Sequence, residues 1–92
     1  MKLIKFSAKW CPPCQAMKKA KTVEKLAEKY GLALEVHDTD STTGRPLSDD
    51  MKVEIVPTVL LMGPRGKELA RHEGPASLVM LERQFKKHLP EV

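Results

Sequence analysis

The sequence predicts an α/β fold: a mixed four-stranded sheet, entered as strand, helix, strand and completed as strand, strand, helix, with helices on both faces. Three observations predict it. Short apolar runs at Leu3 to Phe6 and Leu32 to Val36 bracket a long amphipathic segment, and a strand–helix–strand succession of this length implies a right-handed parallel crossover. The most apolar run, Val59-Leu60-Leu61-Met62, is followed at once by Gly63-Pro64-Arg65-Gly66, turn chemistry that returns the chain antiparallel. The C-terminal segment carries Leu78, Leu81, Phe85 and Leu89 at helical spacing. With 92 residues and 41% apolar composition, the chain supports one domain over residues 1–92 and is too short for two.

Each element has a local reason. Leu3 to Phe6 is a short apolar run closed by Ser7 and suits a strand. From Gln15 to Tyr30, the residues Ala16, Met17, Ala20, Val23, Leu26, Ala27 and Tyr30 recur mostly at three and four, the stripe of one long helix, and Gly31 supplies its stop. Leu32 to Val36 reads as the second strand. The stretch Asp38-Thr39-Asp40-Ser41-Thr42-Thr43-Gly44 is polar turn chemistry, after which Pro46 opens a short helix through Met51. Val59 to Met62 forms a buried strand, Glu68 to Glu73 its antiparallel partner, and Ala76 to Leu89 the closing helix.

Composition narrows the function. Met1 to Phe6 is interrupted by Lys2 and Lys5, so it lacks the unbroken apolar stretch of a signal peptide or membrane span. A cytoplasmic, monomeric protein away from membranes is expected. The net charge is +4, but Lys18, Lys19, Lys21, Glu24, Lys25, Glu28 and Lys29 alternate along helical sequence, as on a solvated face. With 4% aromatic residues there is little to stack on bases, so no nucleic acid is expected as partner.

The chemistry lies in Trp10-Cys11-Pro12-Pro13-Cys14, which holds both cysteines of the chain. They must act on each other, on a partner molecule or on a shared metal. A reducing cytosol disfavours a structural disulfide and points to redox or metal chemistry. Cys11 falls at the cap of the long helix, with Pro12 and Pro13 in the first turn, where a missing N–H costs little. Unpaired amides and the helix dipole there favour a thiolate, which makes Cys11 the nucleophile. Cys14, one helical turn on, is close enough to bond with it and release a mixed disulfide. A bare pair also looks like half a zinc site, so a copper or zinc chaperone and an inert pair remain open. Against them stand the lack of a second cysteine pair and the positions of His37, His72 and His88, which lack zinc-finger spacing.

The element order and the string from Trp10 to Cys14 resemble the thioredoxin family, and the resemblance extends from Lys2 to Leu89. A second motif, Ile55-Val56-Pro57-Thr58, is similar to that family's cis-proline loop. The resemblance implies a thioredoxin-like fold and protein-disulfide reduction, with no cofactor. Catalysis would fall to Cys11 and Cys14, with Trp10, Val56 and Pro57 shaping the substrate groove. Gly74 resembles a groove glycine, with a plain turn as its other reading. Partners would be disulfide-containing proteins and an electron donor, either a flavoprotein thioredoxin reductase or glutathione. A binding module that keeps the fold without catalysis is the competing class.

The departures from the family are as informative. A thioredoxin begins with a further strand and helix, so a minimal version near glutaredoxin in size is expected. Glutaredoxin itself fits less well, because His72-Glu73-Gly74-Pro75 lacks its paired glycines. Pro12-Pro13 replaces the usual Gly-Pro. Six positions before Cys11, where thioredoxins bury an aspartate, this chain has Lys5, and alignment of the second strand puts Glu35 where the family has a lysine. The expectation is an exchanged pair, with Glu35 taking the proton of Cys14 and Lys5 steadying the thiolates. Met17, Met51, Met62 and Met80 read as core, and Asp38, Asp40, Asp49 and Asp50 as turn and cap residues.

Overall fold

A computed structural model describes residues 1–91; Val92, the last residue of the expected domain, lies outside the described residues. The elements run β1 (Lys2–Ser7), α1 (Pro12–Ala20), α2 (Thr22–Tyr30), β2 (Ala33–Asp38), α3 (Gly44–Asp50), β3 (Thr58–Met62), β4 (Glu68–Glu73) and α4 (Leu78–Phe85). They build one four-stranded sheet in the order β2-β1-β3-β4. β1 pairs parallel with β2 and antiparallel with β3, and β3 pairs antiparallel with β4. The mixed sheet expected from the sequence is therefore present.

Strand alternation sorts the core into two layers. Leu3, Val59 and Leu61 point to one face, where they meet Met17, Val23, Leu26, Ala27, Leu81 and Phe85 from α1, α2 and α4. Ile4, Phe6, Leu60 and Met62 point to the other and meet Leu47 and Met51 from the α3 side. β1 and β3 are covered on both faces, which is why Val59–Met62 reads as an unbroken apolar run and Lys5 is the exception in β1.

The long helix expected from Gln15 to Tyr30 is two helices. The break is Lys21, a left-handed residue at φ 54° that ends α1 and begins α2. Its cause lies in the phase of the apolar residues. At about 100° per residue, Leu26 on an unbroken helix would lie about 180° around from Met17. One straight helix cannot bury both. The turn at Lys21 resets the phase, so that Met17 of α1 and Val23, Leu26 and Ala27 of α2 share one core.

Two ends also differ from the sequence reading. α3 starts at Gly44, because Ser41 Oγ accepts the Gly44 amide at 2.8 Å while donating to the Asp38 carbonyl at 2.8 Å. A Cβ on Gly44 would collide with that carbonyl, so the close approach requires glycine. α4 starts at Leu78 because Ser77 is its cap, accepting from the Met80 amide at 3.2 Å. Far from the cysteines, Glu82 on α4 accepts from Lys29 Nζ at 2.7 Å and Tyr30 Oη at 2.6 Å, tying α4 to the end of α2.

Candidate active site at the β1–α1 junction

β1 delivers the chain to the C-terminal edge of the sheet, and Ala8 to Trp10 turn it into α1. The turn is held by backbone and side chain together. The Cys11 amide donates to the Ala8 carbonyl at 3.2 Å, and Gln15 Nε2 donates to the carbonyls of Ala8 at 3.3 Å and Lys9 at 3.4 Å. Cys11 is thereby the N-cap of α1, with Pro12 and Pro13 at its first two positions. The Cys14 amide donates to Cys11 Sγ at 3.3 Å. A helix amide aimed at sulfur is the arrangement that stabilises a thiolate on the first cysteine.

Cys11 and Cys14 are joined as a disulfide with Cα atoms 5.2 Å apart. Cys11 is 3% and Cys14 1% exposed. The loop before β3 faces them. Val56 packs on Ala8, Cys11 and Cys14, its carbonyl lies 3.7 Å from Cys11 Sγ, and the Val56–Pro57 peptide is cis. Pro57 is fully buried. Thr58 Oγ1 donates to the Ile55 carbonyl at 2.7 Å, and the Gly74 amide donates to the Pro57 carbonyl at 2.8 Å. Gly74 has φ 98°. It serves as the turn between β4 and the α4 side, and through that amide it positions the proline loop.

Trp10 is 68% exposed at the rim. Its ring is nonetheless fixed, because Nε1 donates to Asp40 Oδ2 at 2.6 Å, and the Asp40 amide donates in turn to Asp38 Oδ1 at 2.8 Å. Asp40, read from sequence as a turn residue, is also the anchor of the rim tryptophan. The spacing of thirty residues left no local signal for that pairing. His37 stacks on Phe6 at 5.7 Å, on the sheet face away from the cysteines. His72 Nε2 lies 3.2 Å from the Pro75 carbonyl. Among the described residues no three His, Cys, Asp or Glu side chains converge as a metal site, and no helix is long and apolar enough to cross a membrane.

The structure corrects the expected pairing of Lys5 with Glu35. Lys5 sits opposite Val36 in the β1–β2 register, and Glu35 sits opposite Ile4. Alternation therefore sends Glu35 to the α3 face while Lys5 points toward α2. Glu35 instead pairs with Lys2 at 2.9 Å, near the opposite end of β1 from the cysteines. The carboxylates that share a cleft with Lys5 and Cys14 are Glu24 of α2 and Asp38 of β2. Glu24 reads from sequence as part of a solvated face, yet its Oε1 is enclosed and has no hydrogen-bond partner among the described residues. Lys5 is 3% exposed. Burial pulls its pKa below the ordinary 10.5, with nearby Glu24 opposing that shift and Lys18 adding to it.

A helix-capping cysteine, its partner one turn on and a cis-proline loop against both define a class: small α/β domains built around a vicinal dithiol. The thioredoxin family profile matches residues 1–87, and the chain belongs to that family. It is 29% identical over 87 residues to chloroplastic thioredoxin Y of Oryza sativa subsp. japonica, covering 95% of this chain and 50% of the relative. The chain thus spans about half the length of that curated relative. Among solved structures it is similar to a mutant thioredoxin from Halobacterium salinarum, with a TM-score of 0.81, 29% identity and coverage of 98% of this chain and 75% of the other. It is also similar to thioredoxin NaTrxh from Nicotiana alata, with a TM-score of 0.76, 29% identity and coverage of 96% and 72%.

Proposed function

We propose that this chain is a thiol-disulfide oxidoreductase that reduces protein disulfides through Cys11 and Cys14. The observation that carries the reading is the Cys14 amide aimed at Cys11 Sγ at the start of α1, with the Val56 carbonyl on the other side of that sulfur. In the reduced chain, the Cys11 thiolate attacks one sulfur of a target disulfide and expels the other as a thiolate, which takes a proton from solvent. Cys14, deprotonated, then attacks Cys11 Sγ. The Cys11–Cys14 bond forms, the second target sulfur leaves and is protonated, and two electrons have passed from the dithiol to the target.

The surroundings support a protein as substrate. Trp10 presents an exposed face beside the cysteines, and Ile55 is half exposed on the loop before Pro57. A target segment laid along Val56 would meet a backbone edge on one side and Trp10 on the other, with Gly74 behind the loop. Reduction of the pair between cycles calls for a flavoprotein thioredoxin reductase or glutathione as donor. We place the activity in the cytoplasm, with the chain acting as a monomer. Insulin reduction with dithiothreitol tests the reading: the chain accelerates precipitation of the insulin B chain, and Cys11→Ser abolishes it. An inactive parent chain would overturn it.

A further inference from the structure

The loops that face the cysteines are irregular backbone, and the one before Pro57 does little to hold itself. Among the described residues, the amides of Glu54, Ile55 and Val56 donate to no backbone carbonyl. Three successive amides without an internal partner form an edge open to water or to another chain. A loop left unpaired in this way needs anchors elsewhere if it is to keep one shape.

Two neighbouring residues of the edge strand β4 supply those anchors. Arg71 stands opposite Leu60 and His72 opposite Val59 in the β3–β4 register. Leu60 belongs to the core layer on the α3 face and Val59 to the layer under α4, so the two side chains leave β4 on opposite faces. Arg71 reaches the end of α3, where Nη2 donates to the Met51 carbonyl at 2.7 Å and Nη1 to the Lys52 carbonyl at 3.2 Å. Glu68, on the same strand, locks the guanidinium by accepting from Nε at 2.7 Å and from Nη2 at 2.6 Å. On the other face His72 Nε2 lies 3.2 Å from the Pro75 carbonyl; a carbonyl only accepts, so that ring nitrogen carries the proton. Pro75 follows Gly74, whose amide holds the Pro57 carbonyl. One strand therefore grips the start of the Val56 loop from one side and the turn behind Pro57 from the other.

We propose that Arg71 and His72 are positioning residues for a protein target: Arg71 sets the loop that carries Val56, His72 sets the Gly74–Pro75 turn, and together they fix the groove before the target arrives. The proposal deepens the dithiol reading and rests on it. Neither residue takes part in the sulfur exchange, which proceeds as described above. Their effect is confined to substrates long enough to lie along Val56. A fixed loop spares the target the entropy of ordering it on arrival, so its loss is felt in KM rather than in kcat. A small disulfide has no backbone to lay on that edge, and it reaches Cys11 whether or not the loops are held.

The test compares two disulfides on the same chain. With insulin as substrate and dithiothreitol as reductant, His72→Ala raises KM by about twofold to tenfold, the range of one neutral hydrogen bond, and leaves kcat unchanged. Arg71→Met raises KM by about tenfold or more, because two carbonyls lose a charged donor. His72→Gln, whose amide donates to the same carbonyl, restores most of the loss, whereas Arg71→Lys does not, because an ammonium lacks the planar fork. Reduction of hydroxyethyl disulfide by the pre-reduced variants keeps the parent's rate. Without any substrate, amide exchange speeds up at Gly74 in His72→Ala and at Val53 in Arg71→Met, while the amides of β1 keep their protection. Equal losses on both disulfides would reduce the two residues to a structural role and overturn the proposal. A parent chain inactive on insulin would overturn the reductase reading and take the proposal with it, whereas an active parent whose variants keep its KM would overturn the proposal alone.

Discussion

Two glutamates, one near the start of α2 and one against its end, are handled in opposite ways. Glu82 holds Lys29 at 2.7 Å and Tyr30 at 2.6 Å at the solvent edge, both through Oε2. Glu24 lines the same cleft as Lys5, with an enclosed oxygen left without a partner among the described residues. The first joins two helices. The second lines a cleft that also reaches Cys14. A satisfied carboxylate at the surface is part of the scaffold, whereas an enclosed oxygen without a donor contributes nothing to holding its helix.

That contrast can be broken or sharpened by stability measurements. The largest effect belongs to neither glutamate. Leu26→Ala, in the fully buried stripe of α2, costs about 2–5 kcal/mol in denaturant unfolding, since apolar packing rather than either ion pair anchors that helix. A loss well below 1 kcal/mol would mean that the charges hold α2 instead. Next comes Lys5→Met, expected to stabilise the chain by about 1–3 kcal/mol because it removes a buried charge without an ion-pair partner among the described residues. Its pH dependence follows from the lowered pKa. The folded state disfavours the charged lysine, so the gain is full below the folded pKa, shrinks as pH rises above it and is gone beyond 10.5. Loss of stability on substitution would show that Lys5 is a structural ion-pair partner.

Smaller effects distinguish the two carboxylates directly. Glu82→Gln lowers Tm, by several-fold less than Leu26→Ala, because the clamp lies in water where screening is strong. Hydrogen bonds from Lys29, then Tyr30, hold the Glu82 pKa below 4.5, while Glu82 raises the pKa values of Lys29 and Tyr30. The clamp's contribution is therefore present at neutral pH. It falls away as acid descends through the carboxylate range, and again as alkali passes the raised values of its two donors. A Tm difference between Glu82→Gln and the parent that persists unchanged at pH 2 would contradict this. Smallest of all is Glu24→Gln, which leaves Tm within about 2 °C of the parent, since no hydrogen bond is lost. A fall as large as that of Glu82→Gln would assign Glu24 to the scaffold.

Much of the fold was legible because strand and helix periods are local properties. The runs at Leu3–Phe6 and Val59–Met62, and the turn between β3 and β4, needed nothing beyond neighbouring residues. The break at Lys21 was hidden because Ala16, Met17, Ala20, Val23 and Leu26 satisfy three-and-four spacing pairwise while drifting around the axis over the whole segment. Cys11, Cys14 and Pro57 were readable as motifs. Glu35 was misplaced because a one-residue difference in register moves a strand side chain to the other face. Glu24 and Asp40 gave no signal, since one depended on the helix break and the other on a partner thirty residues away.

The hydrogen bond from Trp10 to Asp40 has an optical consequence. Trp10 is the chain's single tryptophan, so all of its indole emission arises next to Cys11 and none from the core. Anything that seats against that ring, or changes the neighbouring sulfurs, alters the brightness and colour of the whole protein's fluorescence. A target lacking tryptophan could then be followed onto the dithiol without a label.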